Sequence, residues 1–200
     1  MLGMAVLDEV RLMTKAGRQT EARASLERQA GQFDDCPVGI IMYGDLSALY
    51  FADGDIAAAE RHARTAQRLF EAHSRPESCA DSMDTSRFIL DRIAEAAKTP
   101  VAVALLSGDV VERGEHRDYR QVYRLTALRP VDVAVTTTAT GLAWGFDGPW
   151  ERTWGQCTRE LRLTLADYRS PDAAWAEIRC DGMAPLTVRV PRKRNFGDPP

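Results

Sequence analysis

The spacing of apolar residues changes at Thr99-Pro100, and no other feature of the chain constrains its fold so tightly. Before that point apolar residues recur every three to four positions, the repeat of a helix with one buried face. After it they alternate with polar residues, the repeat of a half-buried strand. The predicted fold class is therefore α+β: antiparallel helical hairpins followed by an antiparallel β-sandwich or barrel-like domain. The predicted organisation is a helical domain over 1–99, a β domain over 100–191 and a flexible tail over 192–200.

In the helical half, the pattern predicts a first helix over about Met4 to Ala16, with Val6, Val10 and Met13 on one stripe. Gly17-Arg18 breaks it, and a second helix follows over about Gln19 to Gln29. Pro37 suits the first turn of a third helix, which carries Ile40, Tyr43, Leu46, Leu49 and Tyr50 to about Ala52. Asp53-Gly54-Asp55 is a tight turn in which Asp55 can cap a fourth helix running to about His73. A fifth helix over Ser82 to Lys98, with Phe88, Ile89, Leu90 and Ile93 on its apolar face, is expected to lie over the last hairpin.

The second hairpin carries Tyr43, Leu46, Ser47, Tyr50, Gly54-Asp55, Ala59, Ala63 and Ala66 at spacings that resemble the tetratricopeptide repeat family. The first hairpin is more degenerate: Gly17-Arg18, Ala22 and Leu26 fit, but Glu9 stands at a usual leucine position. The resemblance covers about residues 3–73 and implies stacked helix pairs with a groove for a peptide or a partner helix. Two repeats are fewer than the roughly three that usually stand alone. The same helices therefore also fit a scaffold completed by packing against the β half.

In the second half, Val101 to Leu106 reads as a buried strand turned by Ser107-Gly108-Asp109. Further strands are predicted over Tyr119 to Leu128, Val131 to Thr137, Leu142 to Phe146, Leu161 to Leu165, Ala174 to Cys180 and Leu186 to Val190. One face is polar throughout, as antiparallel pairing permits.

Composition narrows the function classes. The net charge is -3, divided as -4 over 1–99 and +1 over 100–200, so neither half has a basic footprint for nucleic acid. Arg outnumbers Lys 23 to 3, which fits the codon bias of a GC-rich genome. No apolar run reaches the roughly 18 residues of a membrane span, and Met1 to Val10 lacks a basic leader region, so a cytoplasmic location is expected. Cys36, Cys79, Cys157 and Cys180 are widely spaced and are expected to be free thiols there. On a continuous helix His62 and His73 would lie about 16 Å apart along the axis, too far to share a metal. The basic Arg192-Lys193-Arg194 reads as a solvated end.

Trp144, Phe146, Trp150 and Trp154 fall within eleven residues, among Gly145, Gly148, Pro149 and Gly155. Such a segment can form a stacking platform for a ring or a peptide, or can anchor a core. Trp144 and Phe146 continue the alternation and read as core; Trp150 and Trp154 fall outside it. The segment Asp109 to Asp118 gathers Glu112, Glu115 and His116, a pair type that does acid–base work when buried and a solvated turn when not. The reading these features support is a non-enzymatic interaction or scaffold protein with no cofactor and no metal, binding a protein or peptide. Its candidate partner-binding residues are Tyr43, Tyr50, Trp150 and Trp154. Two alternatives stand beside it: a small-ligand or carbohydrate-binding β domain with the helices as an attachment module, and an enzyme using Glu112, Glu115 and His116.

Overall fold

A computed structural model of the protein describes residues 2–113, 116–137, 141–166 and 174–190. The chain is α+β, with five helices followed by two antiparallel sheets. It divides into two compact units, Met1–Ala97 and Lys98–Pro200.

The first unit contains α1 (Leu2–Lys15), α2 (Gln19–Gln29), α3 (Pro37–Asp53), α4 (Ile56–Ala72) and α5 (Ala80–Lys98). Short 3-10 turns at Ala30–Phe33 and Glu77–Cys79 lead into α3 and α5. Pro37 opens α3, where its missing N–H loses no bond. Gly54 ends α3 in the left-handed region at φ 81°, a conformation that a side chain would resist. One residue later, the Asp55 carboxylate accepts from the Ala58 N–H at 3.0 Å and caps α4. Ala58, Ala59, Ala63 and Ala66 are buried along α4, and their small size lets α4 lie close to α3.

Two apolar clusters hold this unit. One joins Val6, Leu7 and Val10 of α1 to Ala22 and Leu26 of α2 and to Met42 and Leu46 of α3. The other joins Ile40 of α3 and Leu69 and Phe70 of α4 to Cys79 and Met83. Met83 lies on α5, which thus covers the α3–α4 hairpin. Gly44 permits this approach, since a Cβ there would lie 3.1 Å from that of Ser82. The apolar face of α5 differs from expectation at Phe88, which is exposed while Met83, Ser86 and Ile89 are buried.

The second unit has β1 (Val101–Arg113), β2 (His116–Ala127), β3 (Val133–Thr137), β4 (Leu142–Thr153), β5 (Gln156–Leu165), β6 (Ala174–Cys180) and β7 (Leu186–Val190). Among the described residues the four-stranded sheet has the order β1-β2-β5-β4 and the three-stranded sheet β3-β6-β7, so β1, β4, β3 and β7 are edges there and neither sheet closes into a barrel. One core unites them: Leu125, Leu161, Leu163 and Leu165 from the first sheet, with Val135, Ala176, Ile178 and Val190 from the second.

The strand expected to turn at Ser107-Gly108-Asp109 does not turn. β1 absorbs the irregularity as a shift in register between Leu105 and Ser107 and runs on to Arg113. It is also less buried than its composition suggests: Val101 is buried, but Leu105, Leu106 and Val110 are exposed on this edge. The tail over 192–200 lies outside the described residues.

Candidate functional site

The aromatic cluster is assembled on β4 and the turn that follows it. Trp144 lies opposite Leu163 and Phe146 opposite Leu161, so both rings share the face of β5 that enters the core. β4 is the outermost strand, however, and the core does not extend fully over it. Trp144 is 44% exposed, although its place in the alternation predicted a core residue. Its ring meets Phe146 edge-on, with centroids 5.7 Å apart.

Beyond Asp147 the pairing with β5 slips, and it resumes at Glu151. Gly148, at φ 75°, lies within this irregular stretch. Arg159 fastens it: Nε donates to the Gly148 carbonyl at 3.0 Å, and the guanidinium lies 3.9 Å from the Phe146 centroid. Trp150, on the far side of the slip, is half-buried against the core and donates Nε1–H to the Val131 carbonyl at 3.2 Å. Trp154 begins the two-residue turn into β5 and is 53% exposed.

On the opposite face of the same sheet, Arg162 pairs with Asp147, and Arg124 reaches Glu160 at 3.3 Å. A polar cavity of about 640 Å³ opens there, bordered by Arg124, Asp147, Glu151 and Glu160. A smaller one of about 220 Å³ lies at the edge, between Trp144, Phe146, Asp147 and Arg162. Trp175, on β6, is 41% exposed beneath the Arg189 guanidinium. The alternation of β6 marks it as outward-facing, which sequence reasoning did not use.

The helical candidates occupy a different setting. Tyr43 and Tyr50, two turns apart on α3, stack on His62 of α4 with centroids at 5.8 and 5.3 Å and interplanar angles of 20° and 15°. Arg23 of α2 lies over the Tyr50 ring, 5.0 Å from its centroid. The Tyr50 hydroxyl donates to Glu27, and Arg23 pairs with Asp53. Burial and the neighbouring Asp34 carboxylate push the Tyr43 phenol up. Burial, then the Arg61 charge, push the His62 imidazole down, against a smaller pull from Asp55. Much of each tyrosine ring is thus engaged in joining α2, α3 and α4. The seven-residue spacing placed both on one stripe, but nothing in the sequence singled out His62 as their partner.

Glu112 is exposed on β1 and lies across from Arg117 in register. Glu115 and the His116 side chain lie outside the described residues. Among the described residues, no group of three His, Cys, Asp or Glu is placed to hold a metal ion, and no helix is long and apolar enough to cross a membrane. Compared with known proteins, the chain matches no family model, no curated protein and no solved structure.

Proposed function

We propose that this protein is a non-enzymatic interaction protein that receives a protein or peptide partner on the aromatic edge of its β unit. The exposure of Trp144 and Trp154 on β4 and its turn carries this reading. Large aromatic side chains left two-fifths or more open to solvent are typical of contact surfaces, because their burial on binding releases much apolar area at little conformational cost. Trp150 serves the surface from beneath by holding the irregular stretch of β4 against Val131. The helical unit fits a tetratricopeptide-like hairpin array, on the strength of the Gly54-Asp55 turn and the buried alanines of α4. Tyr43 and Tyr50 would contribute to binding through the half-exposed parts of their rings beside His62 and Arg23. A cytoplasmic setting goes with this reading.

The test is recovery of partners by the immobilised full chain from its native host, identified by mass spectrometry. Trp144→Ala with Trp154→Ala should lose the partner by at least about tenfold, the effect of removing about 1.4 kcal/mol, with an unchanged circular dichroism spectrum. Identical recovery by the wild type and the double variant would remove the proposal.

One observation favours a second reading, a small carbohydrate-like ligand. The 220 Å³ cavity at the edge of β4 is bordered both by the aromatic residues Trp144 and Phe146 and by the Asp147–Arg162 pair, which can bind hydroxyls. Tryptophan emission titrated with a glycan panel separates the two, and a flat response to every sugar excludes the second.

A further inference from the structure

Cys36 and Cys79 are 43 positions apart in sequence, yet the fold of the helical unit brings the Cys79 thiol against the residue that follows Cys36. Cys79 lies in the 3-10 turn before α5 and is 1% exposed. Its thiol donates to the carbonyl oxygen of Pro37 at 3.4 Å, and Pro37 directly follows Cys36. Cys36 is half-buried at the N-cap of α3, within reach of solvent. Both backbones are pinned. The Cys36 N–H donates to Phe33 at 3.1 Å, its carbonyl accepts from Gly39 at 3.0 Å, and the Cys79 N–H donates to Pro76 at 3.0 Å. Burial pushes the Cys79 thiol up, the Ser78 hydroxyl partly offsets this, and the Cys36 sulfur adds the smallest contribution, upward. Cys157 and Cys180 differ, being both buried within the β unit.

We propose that Cys36 and Cys79 are a peroxide-sensing thiol pair that closes to a reversible disulfide, with Cys36 taking the oxidant and Cys79 resolving it. In the first step the Cys36 thiolate attacks the terminal oxygen of a hydroperoxide. An S–O bond forms, the O–O bond breaks, and the departing oxygen leaves as water or an alcohol after taking a proton. In the second step the Cys79 sulfur turns from the Pro37 carbonyl and attacks the Cys36 sulfenic acid. The S–S bond forms, the S–O bond breaks, and the hydroxide leaves as water with the Cys79 proton. Two thiols are oxidised and one peroxide bond is reduced. The bridge ties the start of α3 to the turn that delivers α5. It is independent of the partner surface on β4.

The test treats the full chain with one equivalent of hydrogen peroxide, then alkylates under denaturing conditions. Before alkylation the expected product is two hydrogens lighter and returns to the starting mass with dithiothreitol; after alkylation and digestion it contains one cross-linked peptide joining Cys36 to Cys79. Cys157 and Cys180 should both be found alkylated. Cys36→Ser should remain reduced under the same treatment, and Cys79→Ser should accumulate a Cys36 sulfenic acid that dimedone traps. Conversion of wild-type Cys36 to sulfinic acid without a cross-link overturns the proposal, as does a bridge to Cys157 or Cys180. Because the wild type and Cys36→Ser alone decide the matter, any instability of Cys79→Ser does not affect the result.

Discussion

Among the described residues, Asp45, on the middle of α3, carries the largest resolved displacement of an acid. Burial pushes its carboxyl up to about 6, and the Arg11 charge only partly offsets this. A carboxyl raised in this way holds its proton more tightly folded than unfolded. Its contribution favours the fold below the ordinary carboxylate value and is lost as pH climbs through about 6. Asp45→Asn should therefore stabilise the protein at pH 7 by about 1–2 kcal/mol in urea unfolding, discounted for its partial exposure. The gain should vanish at pH 4. An equal gain at both values would show that the carboxylate is not the cause. His62 acts in the other sense. Its depressed imidazole contributes stability above the ordinary histidine value, lost as pH falls through the lowered one. Neither effect was legible in the sequence, because Asp45 and His62 look like ordinary polar residues among apolar ones. Only their neighbours on adjacent helices remove their water.

The glycines show what an element demands beyond its periodicity. Gly39 lies in the first turn of α3, where a Cβ would overlap the Phe33 carbonyl oxygen, a backbone atom with no freedom to withdraw. Gly39→Ala should cost about 2 kcal/mol in urea unfolding despite the better helix propensity of alanine. A stabilised variant would mean that the turn before α3 yields readily. The Ser107-Gly108-Asp109 pattern predicts a turn, since Ser-Gly-Asp commonly reverses a chain. In the structure Gly108 continues β1, and the Tyr119 hydroxyl of β2 lies where a side chain would be. The same dipeptide serves a turn or a close approach, and local chemistry does not distinguish them. Gly54-Asp55, by contrast, is a turn in both sequence and structure: the left-handed glycine ends one helix and the aspartate starts the next, each through bonds within a few residues.

At the scale of the molecule, the described residues of the helical unit include two apolar clusters and those of the β unit one. All four tryptophans lie in the β unit, so their emission reports that unit, while ellipticity at 222 nm is dominated by the helices. In a urea titration the two signals should have distinct midpoints. Coincident transitions would show that the halves unfold as one, as a two-hairpin array dependent on the sheets would require. Sequence alone determined the order of helices and strands, the change at Thr99-Pro100, the caps around Gly54 and the side that a residue occupies in the regular stretches of strand. These follow from backbone periodicity and from contacts across a few residues. The tertiary structure decided which strands are edges, and therefore that Trp144 and Leu105 stand open on nominally apolar positions. It also decided that Tyr43 and Tyr50 enclose His62 and that Cys36 meets the Cys79 turn. A period assigns a residue to a face, but whether anything covers that face depends on pairings between segments tens of residues apart.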